Sequence, residues 1–257
     1  MLQLSFYLCV LSLQSEFVWS KSTSKDVKII GGIDAENGQF PYQISLRYNN
    51  RHSCGGSIIN SRWILTAAHC IHNNIPKNYT VVAGTNLLET GGDVYTLEKF
   101  VEHERYNPQL LKNDIALLKT NEEIMFNENV TIMRLPPEDT LDGGLNFTLS
   151  GWGLTAMYGQ PPNKMQTIVL QSITNQECYA KYFHLELVGM LSSSNICTLN
   201  KEGEGACYGD SGGPLVFKGY QVGIVSWAIP CARGRPDVFT RVYSYMDWIE
   251  NHTANSY

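Results

Sequence analysis

The chain has 257 residues, 43% of them hydrophobic and 17% charged, which is enough apolar material for a buried core and too much for a disordered chain. Lys plus Arg number 19 against 24 Asp plus Glu, and the formal charge of −5 disfavours a nucleic-acid-binding protein. No apolar run reaches the roughly 18–20 residues that span a bilayer, so neither nucleic acid nor a membrane is an expected partner.

Residues 1–20 are typical of a secretory signal peptide. They open with the apolar run MLQLSFYLCVLSL, and Val18-Trp19-Ser20 supplies a small-residue cleavage site. No Lys or Arg precedes the run, and the alternative is a buried strand or short helix at the start of the fold. The signal-peptide interpretation predicts a secreted, extracellular protein.

From about residue 40, short β-rich runs alternate with Gly, Asn or Pro breaks, as in an all-β protein. Such runs are residues 42–47, 55–60, 79–84, 114–119, 214–217, 221–227 and 237–242. The turn Lys218-Gly219-Tyr220 predicts a hairpin between two of them. A cluster of Pro, Asp and Gly at 136–144 predicts a connecting segment near the midpoint of the chain. Helical spacing occurs in the tail alone, at 243–252, where Tyr245, Trp248 and Ile249 can share one face.

The cysteines and the glycosylation motifs both favour an oxidising, secretory compartment. Seven cysteines are an odd number, but loss of the signal peptide removes Cys9 and leaves six. These six lack the close spacing of a zinc site, so three disulfides are the better interpretation, with fifteen connectivities open. The six are Cys54, Cys70, Cys178, Cys197, Cys207 and Cys231. Asn-x-Ser/Thr sequons, each a weak signal alone, begin at Asn78, Asn129, Asn146 and Asn251.

Three short segments indicate catalytic chemistry. They are Leu65–Cys70 (LTAAHC), Asn113–Leu118 (NDIALL) and Gly209–Pro214 (GDSGGP). A lone His beside a Cys, or a lone Asp before a strand, is usually structural. Together and in the order His, Asp, Ser, the segments differ from the subtilisin and α/β-hydrolase arrangements of the same triad.

On these segments the sequence resembles the trypsin/chymotrypsin-type serine endopeptidases, from Ile29 to about Asn251. The segments Gly203–Cys207 (GEGAC) and Pro230–Ala232 (PCA) most resemble the insect chymotrypsin-like branch. The resemblance implies an all-β fold of two six-stranded antiparallel β-barrels, with the active site between them and a C-terminal helix. It implies a protease domain at 29–257, divided into halves at about 29–138 and 139–257.

The resemblance also implies the catalytic roles. Ser211 is the nucleophile, His69 the general base and acid, and Asp114 the group that orients His69. The backbone N–H groups of Gly209 and Ser211 form the oxyanion hole. The alternative is a secreted binding protein of the same fold that has lost turnover.

An activation site is implied by the same family. Lys28-Ile29-Ile30-Gly31-Gly32 matches its activation junction, so residues 21–28 are expected to be a propeptide removed by a trypsin-like protease. The freed Ile29 α-amino group would pair with Asp210. In the uncut chain, His52 and Ser45 would hold Asp210 instead.

The family pairing implies the disulfides Cys54–Cys70, Cys178–Cys197 and Cys207–Cys231. In the same way, the resemblance places Gly205 at the base of the primary specificity pocket, where trypsin-like members have Asp. Other pocket positions are Ala206, Ser226, Trp227 and Ala228. Asp237 aligns with a second position on the floor of this pocket. We expect large apolar P1 residues, namely Phe, Tyr, Leu and Met, with elastase-like and basic or mixed preferences as alternatives.

The remaining expectations concern partners and ions. The segment after Val82, AGTNLLET, lacks the acidic residue that opens the family's calcium loop, so no metal is expected, and no cofactor is implied. Expected partners are protein or peptide substrates, the activating protease and protein protease inhibitors. We expect a monomer.

Overall fold

The computed structural model describes residues 29–139, 143–185 and 187–254. The predicted signal peptide and the propeptide, including Lys28, lie outside these residues. The described chain begins with a two-residue strand, β1 (Ile33–Asp34), which is followed by two closed β-barrels.

The first barrel has six antiparallel strands in the spatial order β2-β3-β4-β7-β6-β5. They are β2 (Gln43–Tyr48), β3 (Arg51–Ile58), β4 (Trp63–Thr66), β5 (Tyr79–Ala83), β6 (Asp93–Glu102) and β7 (Ala116–Thr120). Strands β4 and β7 are almost wholly buried, and β2 buries its first four residues, in which apolar Ile44 and Leu46 alternate with polar Gln43 and Ser45. This rigid sheet fixes the two short segments that follow β4 and precede β7.

The second barrel also has six antiparallel strands, closed in the order β8-β9-β10-β13-β12-β11. They are β8 (Asn146–Gly151), β9 (Gln166–Ile173), β10 (Asn195–Thr198), β11 (Pro214–Phe217), β12 (Tyr220–Ala228) and β13 (Asp237–Arg241). The predicted hairpin joins β11 to β12 through Lys218 and Gly219, whose φ angles of 49° and 82° suit a tight turn. The predicted architecture of two six-stranded barrels is confirmed.

The two chain ends cross to the opposite barrel. Strand β1 pairs with β9 of the second barrel. At the other end, a 3₁₀ turn (Val242–Tyr245) leads into helix α2 (Met246–Thr253), whose Ile249 is buried in the core of the first barrel. The tail helix therefore forms as predicted. The predicted halves, 29–138 and 139–257, exchange their terminal segments and are held together by them.

A second helix, α1 (Asn175–Tyr182), contradicts the prediction that helical structure is confined to the tail. Its sequence signal is a capping box. Thr174 Oγ1 accepts from Glu177 N at 3.2 Å, and Glu177 Oε2 accepts from Thr174 N at 2.8 Å. Tyr182 and the disulfide-bonded Cys178 anchor the helix on the second barrel.

The structure contains the three disulfides that the resemblance implied. Cys54–Cys70 joins β3 to the turn that carries His69, and Cys178–Cys197 joins α1 to β10. Cys207–Cys231 joins the segment before Ser211 to the loop before β13. Two of the three bonds therefore brace the surroundings of the candidate site.

The predicted sequons lie at the surface to different degrees. Asn129, Asn146 and Asn251 are exposed, whereas Asn78 is half-buried and its carbonyl accepts from Asn49 N. None of the helices among the described residues has the length and apolar character needed to cross a bilayer.

Candidate active site

The candidate catalytic residues come from both barrels and meet where the barrels touch. His69 lies in a 3₁₀ turn (Ala68–Cys70) after β4, and Asp114 lies just before β7. Ser211 comes from the second barrel, just before β11, and its carbonyl accepts from Gly55 N of the first barrel at 2.7 Å. The structure thus brings together three segments that are far apart in sequence.

His69 is held by Asp114 through two contacts. Asp114 Oδ2 lies 2.8 Å from His69 Nδ1, and Asp114 Oδ1 accepts from the His69 backbone N–H at 2.9 Å. Burial disfavours the charged imidazole, but the charge of Asp114 and its hydrogen bond outweigh this, so the pKa of His69 is raised. The pair fixes the ring with Nδ1 towards the carboxylate and leaves Nε2 available as a base.

Asp114 is itself fully buried and held by the second barrel. Ser226 Oγ donates to Asp114 Oδ2 at 2.5 Å, and Thr240 Oγ1 donates to the Asp114 carbonyl at 2.7 Å. A buried carboxylate is costly unless its oxygens are hydrogen-bonded, and Ser226 meets that need together with the two donors of His69, while Thr240 holds the backbone. Sequence reasoning placed Ser226 only in the specificity pocket and did not identify Thr240. Neither contact has a local sequence signal, because both residues lie more than 100 positions from Asp114.

Ser211 lies in a turn between two glycines that have positive φ, Gly209 at +100° and Gly212 at +75°. A Cβ at 212 would collide with Thr66 and with the carbonyl of Gly55, so only glycine lets the two barrels approach here. Within the described residues, no hydrogen bond joins Ser211 Oγ to His69 Nε2. Such bonds are often long in an empty site and tighten with substrate.

The carboxylate of Asp210 points away from this turn into the second barrel. It accepts from Gly153 N at 2.8 Å and from Cys207 N at 3.0 Å. Gly151 and Gly153 are required beside it, because a Cβ at either position would collide with the carboxylate. Burial raises the pKa of Asp210 to about 6, although the two N–H donors oppose this shift.

Ile29 is buried in the core of the second barrel, among residues that include Phe147 and Ala206. The carbonyl of the next residue, Ile30, accepts from Gly205 N at 3.0 Å. The predicted activation segment is therefore hydrogen-bonded directly to the predicted floor of the specificity pocket.

His52 makes a different contact from the one expected for the uncut chain. Its Nδ1 lies 2.9 Å from Ser45 Oγ as implied, but its Nε2 lies 2.9 Å from the carbonyl of Gly209 and not on Asp210. Burial lowers the pKa of His52 to about 4; the Gly209 carbonyl opposes this, and the charge of Arg47 adds to it. The ring is therefore neutral. Since a carbonyl only accepts, Nε2 carries the hydrogen and Nδ1 accepts from Ser45.

The predicted pocket residues lie together, and the carboxylate of Asp237 lies directly beside Gly205. Ala206 N donates to Asp237 Oδ2 at 2.8 Å, and Ala228 pairs with Asp237 across β12 and β13. Burial is the main cause that raises the pKa of Asp237 to about 7. Trp227 lies half-buried between Ser226 and Ala228 and packs against the ring of Tyr182.

One group of potential metal ligands occurs among the described residues, namely Cys54, His69 and Cys70. Both sulfurs belong to one disulfide, so neither is available as a thiolate. His69 is also engaged by Asp114 through Nδ1. The donor set therefore does not fit a metal ion.

Two antiparallel six-stranded barrels with His69, Asp114 and Ser211 at their junction define the class of chymotrypsin-like serine proteases. The family model described as Trypsin matches residues 29–249, and the chain belongs to this family. It is 45% identical over 224 residues to chymotrypsin-2 of Vespa crabro, covering 87% of this chain and 99% of that protein. The chain is a serine endopeptidase with protein substrates.

A solved structure with a similar fold is that of human heparin binding protein. The TM-score is 0.78 at 30% sequence identity, and the match covers 88% of this chain and 97% of that one. That protein is named for binding and not for hydrolysis.

Proposed function

We propose that the protein is a secreted, chymotrypsin-like endopeptidase, made as a zymogen, which cleaves after large apolar residues. The observation that carries the proposal is the arrangement of His69, doubly held by the buried Asp114, beside the glycine-flanked turn of Ser211. This arrangement supplies a base, an orienting carboxylate and a nucleophile.

In the proposed mechanism, Ser211 Oγ attacks the scissile carbonyl while His69 Nε2 takes its proton. The negative oxygen of the tetrahedral intermediate is stabilised by the backbone N–H groups of Gly209 and Ser211. His69 then gives its proton to the leaving amine, and an acyl-enzyme remains on Ser211. Water deacylates it by the reverse sequence, with His69 again as base. Asp114 keeps the ring oriented and stabilises the imidazolium.

The pocket supports an apolar P1 preference. Gly205 contributes no side chain, and an ideal Cβ at this position would lie 2.7 Å from Asp237 Oδ2. With its pKa raised to about 7, Asp237 is partly neutral near neutral pH and does not demand a cation. Ala228 narrows one wall where a Gly would leave it open. An elastase-like or a basic preference is the alternative, and P1 profiling distinguishes them.

Secretion and glycosylation are part of the same proposal. Three disulfides require an oxidising compartment. The exposed Asn129, Asn146 and Asn251 are accessible to glycosylation, and residues 1–20 supply the signal peptide. The name of the Vespa crabro relative supports the chymotrypsin-like specificity of this proposal.

A fluorophosphonate probe tests the proposed function directly. After trypsin treatment, we expect stoichiometric labelling of Ser211, located by peptide mass spectrometry, and no labelling of the Ser211→Ala variant. An intact, correctly cut protein that takes up no label would instead favour a binding protein without turnover.

Heparin, a polyanion, would be a poor ligand for a chain with a formal charge of −5.

The acid limb of the pH profile should report His69. Its pKa is raised by Asp114, and it must be neutral to act as a base. We therefore expect kcat/KM to fall as the pH drops through a value above the about 6.5 of free imidazole. On the alkaline side, the pair between Ile29 and Asp210 should be lost as the pH rises through the raised pKa of the α-amino group. A kcat/KM that increases down to about pH 5 would contradict the role of His69.

A further inference from the structure

The residue before Asp114 has a backbone conformation that needs support. Asn113 has a φ of 54°, in the left-handed region that residues with a side chain seldom adopt and that asparagine tolerates better than most. Its carbonyl accepts from Ile115 N at 2.9 Å, so a tight three-residue turn centres on Asp114. The direction in which the Asp114 carboxylate leaves the backbone therefore depends on how Asn113 is held.

Both polar atoms of the Asn113 side chain are hydrogen-bonded. Nδ2 donates to the carbonyl of Arg105 at 2.6 Å. Because a carbonyl only accepts, this contact fixes the orientation of the amide and turns Oδ1 towards the hydroxyl of Tyr245. That hydroxyl lies 3.0 Å from Oδ1 and donates to it.

Tyr245 lies in the 3₁₀ turn that leads into α2 and is buried, with its ring packed edge to face on His103 at 5.3 Å. The hydroxyl also lies 3.2 Å from Ser194 Oγ. Since its one hydrogen goes to Asn113, Ser194 is the donor in this second contact. Burial raises the pKa of Tyr245, although the hydrogen bond from Ser194 opposes this shift. The phenol therefore keeps its hydrogen at neutral and mildly alkaline pH.

The C-terminal part of the chain thus holds the turn of Asp114 at two points. Thr240 Oγ1 donates to the Asp114 carbonyl at 2.7 Å, and Tyr245 holds the preceding residue. Among the described residues, the side chain of Tyr245 has hydrogen bonds to Asn113 and Ser194 and none to His69. Any influence of its hydroxyl on the chemistry must therefore pass through Asn113.

We propose that Tyr245 is a positioning residue for the triad, because its hydrogen bond to Asn113 fixes the turn from which the Asp114 carboxylate holds His69. This inference rests on the proposed function of the same site. It adds a support that acts on the backbone, from the side of the turn opposite to His69.

The expected effect is on the rate and not on substrate binding. Without the hydroxyl, Oδ1 of Asn113 loses its donor and the amide is held by Nδ2 alone. The turn can then rotate, and a small displacement of Asp114 moves the ring of His69. Such displacements lower the rate of the chemical step, because the base no longer meets the nucleophile in the productive geometry. No contact with the substrate is removed, so KM should change little.

Tyr245→Phe tests the inference, since it keeps the ring on His103 and removes only the hydroxyl. In the activated protein we expect kcat to fall by about tenfold and KM to stay within about twofold of the wild type. The assays are run well below the Tm of each variant, so that a loss of stability alone does not lower kcat. A wild-type kcat in Tyr245→Phe would overturn the proposal.

The matched control is Ser194→Ala, which removes the other partner of Tyr245 and leaves its bond to Asn113 in place. Its kcat should remain within about twofold of the wild type. A loss as large as that of Tyr245→Phe would assign the effect to the network around Ser194, and it would also overturn the proposal.

A double-mutant cycle tests whether Tyr245 acts through Asn113. Asn113→Gly permits the positive φ and removes both side-chain hydrogen bonds. We expect its kcat to fall by at least about tenfold, and adding Tyr245→Phe should cause no further loss. Losses that multiply in the double variant would contradict the coupling. Asn113→Gly also decides the inference if Tyr245→Phe does not fold, because a wild-type kcat in Asn113→Gly would overturn it.

Proton NMR gives a readout that requires no turnover. The hydrogen on His69 Nδ1, held 2.8 Å from Asp114 Oδ2, should give a signal far downfield. This signal should move upfield in Tyr245→Phe and in Asn113→Gly, and it should be unchanged in Ser194→Ala. A wild-type protein that shows this pattern without turnover would remove the proposed function but retain the inference. A signal that does not move in Tyr245→Phe would overturn the inference alone.

Discussion

Replacing Asp114 by Asn is expected to lower kcat of the activated enzyme by about 10⁴-fold without unfolding it, as triad enzymes of this kind do. The carboxylate accepts from both the backbone N–H and the Nδ1–H of His69. An amide can instead present its NH₂ group to Nδ1. That favours the tautomer with hydrogen on Nε2, which cannot take a proton from Ser211.

The same variant should change the pH profile in a way that a merely structural defect does not. Without the charge of Asp114, the effect of burial on His69 is no longer outweighed, and burial lowers its pKa. The residual activity of Asp114→Asn should therefore have its acid limb at lower pH than the wild type. Ser226→Ala is the matched control, since it removes one donor to Oδ2 and keeps the charge. A loss within tenfold of wild type for Asp114→Asn would show that Asp114 does not orient the base.

The segments that carry chemistry were predictable because each is a contiguous string. His69, Asp114 and Ser211 were identified from short motifs, and the strand runs 214–217 and 221–227 coincide with β11 and β12. What alternation of apolar residues cannot reveal is closure of the barrels. Closure depends on pairings such as β8 with β9 over six positions, which only the tertiary structure specifies.

Contacts between distant segments explain the features that the sequence did not reveal. The periodicity of apolar residues does not indicate helix α1, because the sequence signal of this helix is the cap formed by Thr174 and Glu177. Similarly, the partner of His52 depends on where the Gly209 turn lies. In the structure, His52 contacts Ser45 and the carbonyl of Gly209.

The position of Asp210 connects the fold to activation. Burial raises the pKa of Asp210 from 3.8 to about 6. At pH values above both of these pKa values, the ionised carboxylate is therefore disfavoured in this buried position by about 3 kcal/mol. This penalty is absent at pH values below both pKa values, where the carboxyl group is neutral in the folded and in the unfolded protein. A cation brought to Asp210 would offset the penalty, and the α-amino group of Ile29 is the group that cleavage after Lys28 creates. The burial of Ile29 in the second barrel favours this assignment.

Lys28→Gln is therefore expected to block activation by trypsin. Without the ion pair, Asp210 loses the cation that would stabilise it and the turn that carries the oxyanion donors. Loss of one oxyanion donor costs a factor of about 10²–10³ in kcat. Trypsin-treated Lys28→Gln should thus have at least about 10²-fold lower kcat/KM than the treated wild type. N-terminal sequencing should find Ile29 in the wild type only.

Two variants separate the cut from the ion pair. Lys28→Arg keeps a trypsin site and should be activated like the wild type. Asp210→Asn should be cut normally after Lys28 yet remain inactive, because the freed ammonium has no carboxylate to meet. Cleavage at Lys25 leaves three additional residues before Ile29, so it should not rescue Lys28→Gln. Full activity of Lys28→Gln after trypsin treatment would refute the activation scheme, and full activity of cut Asp210→Asn would show that the ammonium acts through another group.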